Sequence, residues 1–381
     1  MIFLFWFSLL LLIYIYIGYP LLCRWLANQR SRPVAAADHQ PSVTILTAAF
    51  NEAGDIAATL RNKMALDYPA DRMEMIVISD ESTDGTDDIV ASLAADAPFP
   101  ITLLRQTPRQ GKTAGLNLAV PHASGDILVF ADANSWYAPD ALKALVRPFA
   151  DAEVGYVTGQ MLYTNADGSL IGDGCSGYMR FENSLRAWES SMGSIVGVDG
   201  GIDAMRRTLY TPMAADQLPD FVQPLHVVTQ GYRVVYEPAA VLQEPALNDA
   251  GREYRMRVRV ALRALWALRD MRHLFNPRRH GLFAWQLLSH KLLRYLAFIP
   301  LVGVLMSNVA LAFSAPFYRL TLALQIVFYT LALLGWQRGG SASSSAITVP
   351  YYFTLINWAC AEATWMYMQG KKIALWKPRE G

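Results

Sequence analysis

Residues 127–131, Ile-Leu-Val-Phe-Ala, form a short apolar run that stops abruptly at Asp132-Ala133-Asn134. Such a run reads as a buried strand. In an open α/β sheet, ligands lie at the carboxyl ends of the strands. A carboxylate and an amide oxygen two positions apart can there address one hard cation. Mg2+ and Mn2+ prefer oxygen ligands of this kind and share them with substrate phosphates. Asp132 and Asn134 are therefore candidate metal ligands. Taken alone, Asp-x-Asn is equally a turn or a helix cap, so the rest of the chain has to decide.

The same pattern recurs upstream. Residues 43–48 read as a strand that ends in Ala49-Phe50-Asn51-Glu52, with a helix from about residue 53. Residues 73–79 read as a second strand, stopping in Asp80-Glu81-Ser82-Thr83-Asp84-Gly85-Thr86, and residues 87–95 as a helix. Residues 101–104 are a third strand, and Arg109-Gln110-Gly111-Lys112 precedes a helical pattern to residue 119. This alternation argues for a mostly parallel, doubly wound α/β sheet. Three strand ends carry acid or amide groups, at Asn51-Glu52, Asp80 and Asp132, which favours a nucleotide site over scattered caps. Neither the Gly-x-x-x-x-Gly-Lys-Ser/Thr nor the Gly-x-Gly-x-x-Gly pattern follows the first strand, which argues against an ATPase loop and a dinucleotide fold.

Beyond residue 153 the signal weakens. Residues 154–163 and 234–236 read as strands. Between them glycines and aromatics mix without a clear period, Asp199-Gly200-Gly201 precedes Met205-Arg206-Arg207, and Asp220 follows Leu218-Pro219.

Composition explains the two ends of the chain. Of 381 residues, 53% are hydrophobic and only 17% charged, which is apolar for a soluble protein. The first 23 residues carry no charge and supply the ~20 apolar residues that a bilayer span needs. Arg24, Arg30 and Arg32 follow at once and place what comes next in the cytoplasm. A cleaved signal peptide is disfavoured, because no basic segment precedes the apolar run. Residues 31–40 read as a linker. Residues 252–274 form a basic amphipathic helix, with Arg252, Arg255, Arg259 and Arg263 on one stripe. That stripe suits an anionic membrane surface, and arginine also grips diphosphates. Residues 281–292 keep the amphipathic character. Residues 293–312 and 320–336 are expected spans, and 347–368 is a third candidate that carries Asn357 and Glu362. Three trailing spans would put the C-terminus outside, whereas Lys371, Lys372, Lys377 and Arg379 argue for the inside; both readings stay open. The net charge of +1 gives no field that would favour nucleic acid. Cys23, Cys175 and Cys360 lack any ligand or pairing pattern.

With these residues placed, the chain resembles the membrane-bound family 2 glycosyltransferases, which include cellulose, chitin, hyaluronan and poly-N-acetylglucosamine synthases and shorter bacterial relatives. Thr47-Ala48-Ala49-Phe50-Asn51-Glu52 looks like the opening nucleotide loop of that family. Asp80 stands where the family recognises the uracil end of the donor, and Gly111-Lys112 with Asn117 resembles its Gly-Lys…Asn stretch. Asp132-Ala133-Asn134 takes the place of the Asp-x-Asp metal motif. Pro219-Asp220-Phe221 takes the place of Thr-Glu-Asp, which makes Asp220 the candidate general base. Three departures stand out: Asn134 replaces a carboxylate, Pro219 replaces a glutamate, and the Gln-x-x-Arg-Trp motif is missing. The nearest match to that last motif is Arg255-Met256-Arg257-Val258-Arg259.

The resemblance implies a GT-A fold, a doubly wound mixed sheet, with one N-terminal and two to three C-terminal transmembrane helices. The layout is a first span at 1–23, a linker at 24–40, a glycosyltransferase domain at 41–250, interfacial Arg-rich helices at 251–292, a membrane region at 293–368 and a tail at 369–381. It also implies inverting transfer from a nucleotide sugar, a UDP-sugar foremost, to a lipid-linked or glycan acceptor at the inner membrane. Ala49, Asn51, Glu52, Asp80, Lys112, Asn117, Asp132, Arg255, Arg257 and Arg259 would hold the donor, with Mg2+ or Mn2+ as cofactor. The altered motifs leave one alternative: a sugar-binding subunit whose catalytic domain has decayed.

Overall fold

The computed structural model describes residues 1–164, 170–245, 249–337 and 345–373. The chain divides into two compact units. An α/β unit is built from Arg30–Leu162 and Arg186–Glu244, and a helical unit from Met1–Gln29, Tyr163–Leu185 and Pro245–Lys372.

The α/β unit is organised by one eight-stranded sheet. Its strands are β1 (Val43–Ala49), β2 (Met73–Ser79), β3 (Ile101–Arg105), β4 (Ile127–Asp132), β5 (Trp136–Tyr137), β6 (Val154–Thr164), β7 (Ile202–Arg206) and β8 (Arg233–Pro245). The order is β3-β2-β1-β4-β7-β6-β8-β5. Strands β1 to β4 are mutually parallel, and β7 joins β4 antiparallel. The expectation of a mostly parallel sheet therefore holds for the first half only. All seven residues of β1 are buried, as expected of a strand covered on both faces.

Register fixes where the strand ends meet. Ala49 pairs with Ser79 and Ala48 with Asp132, so Asn51, Asp80 and Asp132 all leave the sheet at one edge. The chain turns to β2 on one side of β1, and β4 lies on the other. This is a topological switch point, where open sheets of this kind bind ligands. On the far side of β4, Ala131 pairs with Ile202 and Phe130 with Asp203. The run into β7, through Gly200 and Gly201, is thereby brought beside Asp132.

The linker is pinned rather than loose. Arg32 pairs with Glu153 at 2.9 Å and Arg147 with Asp38 at 2.9 Å.

The helical unit begins with a helix over Ile2–Gln29 that contains a π turn at Tyr14–Gly18. Among the described residues, this helix and Pro316–Gln337 are long and apolar enough to cross a membrane. The segment expected to span at 293–312 is broken. Helix ends at Tyr295 and restarts at Phe298, and the flanking pieces Pro277–Tyr295 and Phe298–Leu311 are bent by 57°. Pro300 explains the site of the break, since it lacks an N–H to donate to residue 296 and fits only the first turn of a helix. Counting the bent pair as one span gives up to three. Ser345–Met368 is of spanning length but not apolar enough by the same measure. Asn357 and Glu362 within it are both engaged: Tyr16 donates to Asn357 and Tyr254 to Glu362. Lys377 and Arg379, part of the charge argument for the C-terminus, lie outside the described residues.

The expected domain at 41–250 is interrupted. Tyr163–Leu185 clusters with the helical unit and belongs mostly to a helix, Leu170–Met192. The glycines of that stretch hid the helix from a reading by period. At Gly174 a Cβ would lie 2.7 Å from the Tyr352 ring, so the glycine serves close packing. Cys23, Cys175 and Cys360 are buried and unbridged.

Candidate functional site

The site grows from the turn that ends β4. Ser135 closes this turn, with its N–H and hydroxyl both donating to the Asp132 carbonyl at 3.2 and 2.9 Å. The helix Ile56–Met64 fastens the turn from below. Thr59 donates to the Ala133 carbonyl at 2.6 Å, Lys63 to the Ser135 carbonyl at 2.7 Å, and Asn62 exchanges two hydrogen bonds with the Tyr137 backbone. Lys63 is completely buried, with its ammonium 3.6 Å from the Tyr137 ring centre. Burial pulls its pKa well below the usual lysine value, and the charge of Asp132 offsets only part of that. Replacing Lys63 with methionine would leave the Ser135 carbonyl unsatisfied, at a cost of about 1–3 kcal/mol. Thermal unfolding of Lys63→Met should show a lower Tm; an unchanged Tm would mean that the turn does not depend on this bond.

Two loops flank the turn. Asn51 and Glu81 both have positive φ, 54° and 64°, a strained choice for non-glycine residues that clusters at binding sites. Asn51 accepts from Thr83 N–H at 2.9 Å, and the Glu52 N–H donates to Thr86 at 2.9 Å. The Ala49 carbonyl accepts from Asp80 N–H at 2.9 Å. Asp80 is buried, and its carboxylate accepts from Gln106, from Arg109 and from the backbone N–H groups of Gln110 and Gly111. It thus holds the 106–111 loop in place. Arg109 also lies over the Phe50 ring at 3.3 Å.

That loop delivers Lys112, the first residue of the helix Lys112–Ala119. The Lys112 ammonium is 2.5 Å from Asp132 Oδ1. Burial works against its charge, but Asp132, Asp220 and Asp203 outweigh burial and hold its pKa above the usual lysine value. Asp220 stands in the first turn of the helix Pro219–Thr229, where a carboxylate is favoured by the helix dipole. Pro219 opens this helix at its first position. Lys112, Tyr156, Gly200, Asp203, Asp220 and Gln223 share one pocket. Tyr137 ties this pocket to the β4 turn, its hydroxyl lying 2.9 Å from the Gly201 carbonyl and 3.1 Å from that of Phe130.

The structure therefore brings Asp132, Lys112 and Asp220 together, with Asp80 one step behind Lys112. Asn117 is used elsewhere. Its amide donates to the Met213 carbonyl at 2.6 Å and accepts from Tyr210 and from Met213 N–H, so it holds the 210–213 segment. Arg255, Arg257 and Arg259 belong to the helical unit, on the helix Ala250–Asp270. There Arg257 bonds Glu253 at 2.7 Å and the Tyr352 hydroxyl at 2.8 Å. Sequence reasoning missed Tyr156, Lys63 and Asp203. For Asp203 a signal existed, an acid set among the apolar residues of a short strand.

The β4 turn suits a divalent cation. Asp132 and Asn134 offer two hard oxygens, the Asp132 side chain is 38% exposed, and a cationic group already rests against its carboxylate. Among the described residues no cluster of three His, Cys, Asp or Glu side chains is formed. A short protein ligand set completed by phosphate and water is the usual arrangement for Mg2+. Asn134→Asp, which adds a charge to this set, should tighten Mn2+ binding by about tenfold; isothermal titration in the presence of nucleoside diphosphate is the check, and unchanged affinity would remove Asn134 from the ligand set.

A mixed sheet with a switch-point crevice, a metal-compatible turn and a facing acid defines a GT-A unit. Residues 44–209 match the model of glycosyl transferase family 2. That segment, residues 44–209, has the character of a glycosyltransferase family 2 domain. A mannosyltransferase of Pyrobaculum calidifontis, solved with GDP-Man and Mn2+, is similar over 95% of this chain and 99% of its own, with 25% identity and a TM-score of 0.74. A probable glycosyltransferase of Bacillus subtilis is 29% identical over 219 residues, 54% of this chain and 51% of that protein. A poly-beta-1,6-N-acetyl-D-glucosamine synthase of Staphylococcus aureus is 25% identical over 237 residues, 60% of this chain and 56% of that one. The chain thus spans about half the length of the curated relatives it matches.

Proposed function

We propose that this protein transfers a sugar from a nucleoside diphosphate sugar to an acceptor hydroxyl, with inversion at the anomeric carbon. The observation that carries this reading is Lys112, which pairs with Asp132 at 2.5 Å and lines one small cavity together with Asp220. Asp220 acts as the general base and takes the proton from the acceptor hydroxyl. Lys112 pairs with the diphosphate beside Asp132. Asp132 and Asn134 would hold Mg2+ or Mn2+, which when bound neutralises charge on the departing diphosphate. Asn51, Glu52 and Asp80 would meet the nucleoside of the donor.

The acceptor is membrane-associated or a glycan. In support, two helices among the described residues are of spanning length and hydropathy, and one relative is by name a polysaccharide synthase. Arg24, Arg30 and Arg32 after the first span support a cytoplasmic α/β unit. The resemblance favours uridine as the donor base, while the similarity to a protein solved with GDP-Man supports guanosine. A donor panel of UDP-glucose, UDP-N-acetylglucosamine and GDP-mannose, with Mn2+ and product sizing by mass, tests the reading. One donor should release its nucleoside diphosphate and add a sugar mass to an acceptor. No turnover with any donor, despite binding, would favour the decayed sugar-binding subunit.

A further inference from the structure

Asp203 is the most enclosed acid of the pocket, 1% exposed. It stands in β7, opposite Phe130 of β4 on one side and Thr158 of β6 on the other. Its Oδ2 accepts from the Gly200 N–H at 3.0 Å and from the Tyr156 hydroxyl at 3.1 Å. Its Oδ1 is buried without a hydrogen bond among the described residues. A buried acid with one unsatisfied oxygen is costly, and an apolar side chain would be cheaper there. What the acid holds is therefore informative. Gly200 has φ +85°, and a Cβ on it would lie 2.3 Å from Asp220 Oδ2. The backbone that Asp203 tethers is thus the floor beneath the Asp220 carboxylate.

We propose that Asp203 is a positioning residue for Asp220, fixing the Asp220 carboxylate through Gly200 and supplying a second acidic group to the same cavity. The inference rests on Asp220 being the base. The groups that face Asp203 are Asp220 from the helix Pro219–Thr229, Lys112 from the helix Lys112–Ala119, Tyr156 and Thr158 from β6, Tyr137 from β5, and Asp199, itself paired with Arg186. Burial first, then Asp199 and Asp220, push the Asp203 carboxyl up to about 7, against the nearby Thr158 hydroxyl and the hydrogen bond from Tyr156, which favour the ion. Its ionisation adds negative charge beside Asp220 and strengthens Asp220 as a proton acceptor. The kcat profile should then contain a limb rising through about pH 7.

The test uses the full chain in detergent, with GDP release from GDP-mannose or UDP release from UDP-N-acetylglucosamine, whichever the donor panel selects. Asp203→Ala should lower kcat by roughly 10–100-fold, the scale of a misplaced catalytic group, with donor KM changed by less than about threefold. Asp203→Asn, which keeps an acceptor for Gly200, should restore kcat to within about fivefold at pH 6 but lack the limb near neutrality. Tyr156→Phe removes a bond that favours the ion and should move the limb to higher pH; it keeps the test alive should Asp203→Ala fail to fold. A limb unchanged in Asp203→Asn and Tyr156→Phe, or a loss in Asp203→Ala that appears in donor KM instead of kcat, overturns the proposal. Asp220→Asn retaining transfer would sink the base reading whatever Asp203 does. Asp220→Asn inactive with the Asp203 variants unaltered would sink this inference alone.

Discussion

Asp220→Asn is expected to abolish sugar transfer while leaving folding and donor binding intact. Asparagine keeps the shape of the side chain and its place in the first helical turn, over Gly200. It removes only the ability to take a proton. General-base catalysis typically contributes about 10²–10⁴-fold, so the residual rate should fall by at least that range. Transfer is read from product mass, and donor binding from titration with a nucleoside diphosphate. A variant that loses donor binding to the same degree would assign Asp220 a structural part in the pocket.

The second large effect is expected at Lys112. Its ammonium is 2.5 Å from Asp132 and shares a pocket with Asp203 and Asp220. Without it, three acids face each other and an incoming diphosphate meets net negative charge. Lys112→Met should lower kcat/KM by about 10²–10³-fold, consistent with the ~3–5 kcal/mol lost when one partner of an enclosed ion pair is removed, reduced here because Asp132 is partly exposed. Most of the loss should appear as weaker donor binding. Lys112→Arg should recover little, since a planar guanidinium does not replace a compact ammonium at a single carboxylate oxygen. Full activity in Lys112→Met would show that the diphosphate is held elsewhere.

The parts of this fold that were legible share one property: an apolar strand that ends sharply in a polar residue. β1, β2 and β4 are bounded that way, and their register puts Asn51, Asp80 and Asp132 at one edge. The parts that were not legible break the local rules. The helix Leu170–Met192 is interrupted in sequence by glycines, of which Gly174 packs closely against Tyr352. β7 carries Asp203 in the middle of a buried strand, where alternation would ask for an apolar residue. The apolar stretch at 293–312 promised a straight span, but Pro300 broke it. Within the site, Asn117 matched a motif by spacing, yet its bonds to Tyr210 and Met213 depend on a segment about a hundred residues away that no local pattern announces.

The helix Ile56–Met64 has a mechanical consequence. Its first turn hangs from the Glu52 carbonyl, which accepts the N–H groups of Asp55 and Ile56 at 3.0 and 2.9 Å. Its remaining length grips the cation turn through Thr59, Asn62 and Lys63. A short rod therefore joins the loop after β1 to the turn after β4. On the proposed function, a shift of Asn51-Glu52 on donor binding would be carried along that helix to the turn after Asp132.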